Sequence, residues 1–141
     1  MTLYILDTDH LTLLKRNHPS VLYKVNSISA DNIFVTIVTI EEQLRGRLAI
    51  ISKIANQPEK FSIAYGYLFD SLMDFYNLNI LKLDSSASEY FQELRRQKIR
   101  IGSQDLKIAS ITLSQKAILV TRNRQDFIKV PNLSIEDWSI E

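Results

Sequence analysis

YILDTDH, residues Tyr4 to His10, sets an apolar run against two carboxylates. Leu3, Tyr4, Ile5 and Leu6 are consecutive and apolar. That is the pattern of a short strand covered on both faces, as in a parallel sheet. The run stops at Asp7, and a second acid follows at Asp9. A buried strand that ends in acids either caps and turns there, or holds a cation.

Working outward, the same kind of run recurs. Ile33 to Val38 is β-branched and aromatic and reads as a second buried strand. Ile80 to Leu83 and Ala117 to Val120 read as the third and fourth, and Leu133 to Ile135 as a short fifth. Helical patterns lie between them: His10 to Lys15, Val21 to Ile28, Thr39 to Asn56 and Phe61 to Tyr76. Ser86 to Ile99, with Asp84 as its cap, and Ser103 to Gln115 complete the set. Leu44, Leu48, Ile51 and Ala55 recur at helical spacing, as do Phe61, Tyr65, Leu68, Leu72 and Phe75. These two segments, broken at Pro58, predict a helical hairpin. Strands alternating with helices predict an α/β sandwich on a parallel sheet of four to five strands. Right-handed crossovers place every strand's C-terminal end on one edge, where ligands of open α/β sheets bind.

The bulk composition narrows the class. The chain has 141 residues, the size of one domain, 1–141. A hydrophobic content of 45% supports a real core, and 23% charged residues keep the surface solvated. A net charge of +1 gives no overall field towards nucleic acid, so any such binding comes from local patches. Cysteine is absent, which excludes disulfides and thiolate metal sites. No charged-then-apolar leader opens the sequence, and no apolar stretch approaches the ~20 residues that span a bilayer. The expectation is a soluble cytoplasmic protein with no membrane partner.

On that sheet edge the acids acquire a context. Asp7 closes the first strand, and Glu42 lies in the first turn of the predicted Thr39 helix. Asp105 lies in the first turn of the helix that precedes the fourth strand, and Asn123 and Asp126 follow that strand. Three or four oxygen side chains from remote parts of the chain then converge. Like charges so placed raise one another's pKa, and a divalent cation removes the cost. Carboxylates without Cys or His favour a hard ion, Mg²⁺ or Mn²⁺, and metal-assisted phosphodiester hydrolysis. Each acid also has a structural reading. Thr39 and Glu42 have capping-box spacing, Asp105 suits a helix N-terminus, and Asn123 and Asp126 are spaced like a cap. Asp9 and Asp84 read as cap or turn residues; His10 reads as a surface histidine, with substrate binding near Asp7 the alternative, and His18 sits before Pro19 in a polar loop. Arg95, Arg96, Lys98 and Arg100 read as a solvated helix end, or as a phosphate contact leading towards Asp105.

Four stretches together resemble the PIN domain, and within it the VapC toxins of bacterial toxin–antitoxin pairs: YILDTDHLTLL, VTIVTIEEQLRG, IGSQDLKIAS and ILVTRNRQDF. The resemblance spans essentially the whole chain. It implies a PIN-like α/β/α sandwich and a Mg²⁺- or Mn²⁺-dependent endoribonuclease. Its acids fall on Asp7, Glu42, Asp105 and Asp126, and its fourth position, often Asp and sometimes Asn, on Asn123. A Glu-x-x-x-Gly pattern selects Glu42, with Gly46, over Glu41, and Thr8 and Thr121 match small hydroxyl positions beside the site. The resemblance further implies RNA as substrate, in some members tRNA, and a small VapB-like antitoxin that blocks the site. It implies a homodimer, with DNA contacted only through the antitoxin and the helical hairpin used for dimer and antitoxin contacts. A PIN-fold binding module without catalysis and an RNA-processing nuclease without an antitoxin are the alternatives; neutral Asn123 favours the first.

Overall fold

The computed structural model describes residues 1–140. Five strands form one sheet: β1 (Tyr4–Leu6), β2 (Ile33–Thr36), β3 (Ile80–Leu81), β4 (Ile118–Val120) and β5 (Ser134–Glu136). All neighbours pair in parallel, in the order β3-β2-β1-β4-β5. The helices are α1 (Thr8–Lys15), α2 (Pro19–Asn26), α3 (Ile37–Lys53), α4 (Phe61–Tyr76), α5 (Ser85–Arg96), α6 (Ser103–Ser114) and α7 (Arg124–Phe127). Among the described residues, no helix is long and apolar enough to cross a membrane.

The two faces of the sheet carry separate cores, because successive strand residues point to opposite sides. Ile5 and Leu119 face one core with Leu94 of α5 and Leu106, Ile108 and Ile111 of α6. Leu6, Val35 and Val120 face the other with Leu11, Val21 and Phe75. This is the expected three-layer sandwich. α3 contributes to both cores, through Val38 on one side and Ile40 on the other. It therefore lies where the layers meet, and its N-terminus faces the sheet edge.

β2 is shorter than its composition predicts. The chain turns helical at Ile37, two residues early, because the Thr36 hydroxyl accepts from the Thr39 amide at 3.2 Å and caps α3. Thr39 is then buried inside the helix, and Glu42 stands too far along to close a capping box. That reading of the pair is overturned. α4 keeps its expected limits but buries a different stripe: Ala64, Ser71 and Phe75, with Tyr65 and Leu72 exposed. Leu48 and Ala55 likewise sit on the surface, and α3 ends before Ala55. Asp84 does cap α5, accepting from the Ala87 amide at 2.9 Å.

The strand order reverses at β1. The chain moves outward through β2 and β3, then crosses back to place β4 on the other side of β1. The C-terminal ends of β1 and β4 therefore mark the switch point at which such sheets bind ligands.

Candidate functional site

Asp7 stands at that switch point. Its amide donates to the Val120 carbonyl at 3.0 Å, extending the β1–β4 ladder by one residue. Its Oδ1 accepts from the His10 amide at 2.7 Å and caps α1. The two readings of the opening acid are therefore compatible: one oxygen closes a helix, while the buried carboxylate as a whole stays at the mouth of the sheet.

α3 and α6 bring the next two acids. Thr8 donates to Glu42 Oε1 at 3.1 Å, and the Thr8 and Thr39 hydroxyls lie 3.1 Å apart, so α1 and α3 are tied beside the site. Burial pushes the Glu42 carboxyl above its usual pKa, and the charges of Glu41 and Asp7 add to this against the Thr8 hydrogen bond. Asp105 is also pushed up, first by burial and then by Glu42, Asp7 and Asp126 in turn. Asp105 thus feels the charge of carboxylates from three other elements. Neighbouring Glu41 points away. It accepts from the Gln104 amide at 2.9 Å and pairs with Arg45, and these contacts hold its pKa down.

The loop after β4 supplies the rest. Thr121 is fully buried, and its hydroxyl accepts from the Asn123 amide at 2.9 Å. The Asn123 side chain donates to Asp126 Oδ2 at 3.0 Å. Asn123 precedes α7 but makes no side-chain cap bond. Its amide orients Asp126 instead, and no cap competes for that role.

The donor set suits a hard divalent ion in its chemistry. Asp7, Glu42, Asp105 and Asp126 offer only oxygens, and burial first, then neighbouring carboxylates, push Glu42 and Asp105 up. A second grouping, Asp7, Asp9 and His10, has ligand atoms within 4.8 Å of one another. Asp9 is otherwise engaged, whereas His10 keeps a buried Nδ1 with no hydrogen-bond partner. Arg122 grips both oxygens of Asp9, at 2.7 and 2.8 Å, and lowers its pKa by this contact above all. His10 Nε2 accepts from the Trp138 amide at 3.2 Å.

His10 corrects a sequence expectation. It is wholly buried, not a surface histidine, because the segment after β5 folds over it. Its Nδ1 lies 3.4 Å from Asp7 Oδ1. Nothing near His10 in the sequence signals this, since Trp138 lies 128 residues away. The Arg122 clamp on Asp9 spans 113 residues and is equally illegible locally. His18 caps α2, with Nδ1 accepting from the Val21 amide at 3.4 Å.

Comparison with known proteins agrees with this architecture. A family model described as the PIN domain matches residues 4–133. Ribonuclease VapC2 of Rickettsia felis is 28% identical, over 96% of this chain and 98% of that protein. The tRNA(fMet)-specific endonuclease VapC of Salmonella typhimurium is 22% identical, over 98% and 99%. Among solved structures, VapBC2 from Rickettsia felis bound to a DNA fragment from their promoter contains a chain that superposes with a TM-score of 0.69. The identity there is 25%, over 97% of this chain and 99% of that one.

Proposed function

The chain belongs to the PIN domain family, and from that premise we propose that it is the toxin ribonuclease of a VapBC-type toxin–antitoxin pair. The observation that supports the reading is the half-buried Asp105 under the charge of Glu42, Asp7 and Asp126, with Glu42 likewise held above its usual pKa. Lys129 lies 3.9 Å from Asp126 Oδ1, but among the described residues no lysine or arginine pairs with Asp7, Glu42 or Asp105, as Arg122 does with Asp9. The relatives named as ribonucleases support the choice of RNA, and tRNA is the first substrate to test.

Asp7, Glu42, Asp105 and Asp126 are the proposed ligands of Mg²⁺ or Mn²⁺. A bound ion would supply charge neutralisation at the phosphate and a lowered pKa for the attacking water. The chain's own part is placement. The His10 amide fixes Asp7, the Thr8 hydroxyl fixes Glu42, and the Asn123 amide fixes Asp126. Water attacks phosphorus, the bond to the 3′-oxygen breaks, and the products carry a 5′-phosphate and a 3′-hydroxyl. The ribose 2′-hydroxyl takes no part.

The proposed partner is a small VapB-like antitoxin that carries the DNA contact. It would inhibit by presenting a basic side chain, Arg best, to the carboxylates in place of the ion. The function is tested with purified protein, RNA, and Mg²⁺ or Mn²⁺, with product ends mapped. Cleavage should stop with chelator and in Asp7→Asn and Asp105→Asn, both of which keep the fold. Wild-type rates in either variant would overturn the site. Products ending in 2′,3′-cyclic phosphate would overturn the chemistry.

A further inference from the structure

Between α1 and α3 a cleft of about 360 Å³ opens beside Glu42, lined by Thr12, Lys15, Arg16, Glu42, Gly46 and Arg47. Glu42 also belongs to the carboxylate site. Beyond it the walls turn cationic. Lys15 donates to Gln43 Oε1 at 3.1 Å, lies 3.7 Å from Asp74 Oδ2, and stands over the Phe75 ring at 5.3 Å. Arg47 Nε donates to the Ser71 hydroxyl at 3.0 Å, and its guanidinium lies 5.2 Å from the centre of the Tyr67 ring. α4 thus braces both side chains, yet of the two only Lys15 has a carboxylate beside it. Arg47 and Arg16 make no ion pair among the described residues. Burial lowers the pKa of Lys15, and the Arg47 charge works in the same direction against Asp74. Arg47 is braced and Arg16 stands beside it with no carboxylate paired to either among the described residues, so this wall of the cleft is free to meet an anion.

Gly46 is the second observation. It lies inside α3, where glycine is destabilising relative to alanine. A Cβ built there meets nothing within 4 Å, so packing within the chain does not require glycine. The residue lies on the cleft wall beside Arg47. A bare backbone at that point lets a ligand approach the helix closely.

We propose that this cleft is a phosphate subsite for the RNA strand being cut, seating a backbone phosphate that flanks the scissile one. The inference rests on the ribonuclease reading above. The cationic walls select RNA over the basic side chain expected of an antitoxin, which Lys15, Arg16 and Arg47 would repel.

The test measures binding of a labelled single-stranded RNA by the Asp105→Asn protein in chelator. Arg16→Gln, Arg47→Gln and Gly46→Leu are added singly, with Lys53→Gln at the far end of α3 as control. Each cleft substitution should raise Kd roughly tenfold. The two arginine variants should also flatten the slope of log K against log salt by about 0.7 per lost phosphate contact. In the otherwise wild-type chain the same changes should raise KM and leave kcat nearly unchanged. Gly46→Leu should melt no lower than its parent, so its weaker binding reports a filled cleft. Unchanged Kd and salt slope in Arg16→Gln and Gly46→Leu, while wild type cleaves RNA, would overturn the subsite and leave the ribonuclease reading intact. If wild type neither binds nor cleaves RNA, both fall. Variants that lose only antitoxin capture would make the cleft a protein-docking site and overturn the proposal.

Discussion

Glu41 and Glu42 are chemically identical neighbours, and about 100° of helical rotation separates their fates. Glu42 turns into the carboxylate cluster and is held by Thr8, whereas Glu41 turns to Gln104 and Arg45 at the surface. Glu42→Gln removes a charge from the site and nearly keeps its shape. Cleavage should fall at least about 100-fold, since changes one shell further out already cost 10–100-fold. Glu41→Gln should stay within about twofold of wild type by the same reasoning. Cleavage rates and thermal melts on both variants check this, and equal losses in the two would refute the assignment. Among the proposed acids, Asp7 and Asp105 stand out in the sequence, because one ends an apolar run and the other opens a helix. Their supports do not. The Trp138 amide on His10 and the Arg122 clamp on Asp9 join residues more than a hundred positions apart, and no local pattern encodes such pairs. Asn123 was legible as a departure from an acid, but its bond to Asp126 needed the geometry of the loop.

Strands and helices were legible wherever one periodicity ruled, and their limits blurred where two competed. Ile37 and Val38 continue a β-branched run, so the sequence extends β2 through them. The hydroxyl of Thr36 decides otherwise by capping α3, and α3 then carries Val38 and Ile40 into the two cores. The buried stripe of α4 was misplaced because aromatic residues fit several faces. Composition cannot say which face meets the sheet when the helix has a second surface to cover. Helix ends reveal another device. Only three glycines serve the whole chain, and none has positive φ. α1, α5 and α6 close instead on Asn17, Lys98 and Lys116, with φ of 57°, 59° and 52°. After α6 the Ala117 amide reaches the Thr112 carbonyl at 3.1 Å and the Lys116 amide reaches Leu113, the paired bonds of a Schellman end. A lysine there bears Cβ strain that glycine would not. Lys116→Gly should therefore stabilise the fold by about 1 kcal/mol without touching cleavage. Denaturant titration measures it, and a loss of stability would show that the lysine stem contributes more by packing than its backbone costs.

At the scale of the molecule the site is a local destabiliser that a cation relieves. A carboxyl whose pKa in the folded chain lies above its unfolded value holds more protons when folded. Stability from that group therefore rises as pH falls, and is lost as pH rises through the shifted value. Glu42 and Asp105 are both of this kind. Asp105→Asn removes the repulsion at every pH. In chelator near neutrality it should melt above wild type, and the gap should close as pH falls towards about 4, where carboxyls protonate anyway. Mg²⁺ should raise the wild-type melting temperature and leave Asp105→Asn nearly unmoved. A gap that widens on acidification would contradict the shared-repulsion account of the cluster.

The helical hairpin poses the same kind of question for the surface. Ile63, Tyr65, Phe69, Leu72 and Met73 of α4 are all exposed, as is Leu48 of α3. Phe69 is 60% and Ile63 65% exposed, too much for side chains that serve only the core. A soluble monomer rarely shows a contiguous apolar patch beyond a few hundred Å². A stable interface buries about 800 Å² on each partner, and one hairpin face can supply most of that. We therefore expect a homodimer through α4, with the antitoxin bound along the same hairpin and reaching the carboxylates. Light scattering at micromolar concentration should give twice the chain mass. Ile63→Glu with Phe69→Glu should give a monomer of unchanged helical content, because neither side chain belongs to the buried cores. A wild-type mass of one chain would count against the dimer. If the double variant is monomeric yet still captured and silenced by the product of a neighbouring small gene, the hairpin serves self-association alone, and the antitoxin reaches the carboxylates by another face.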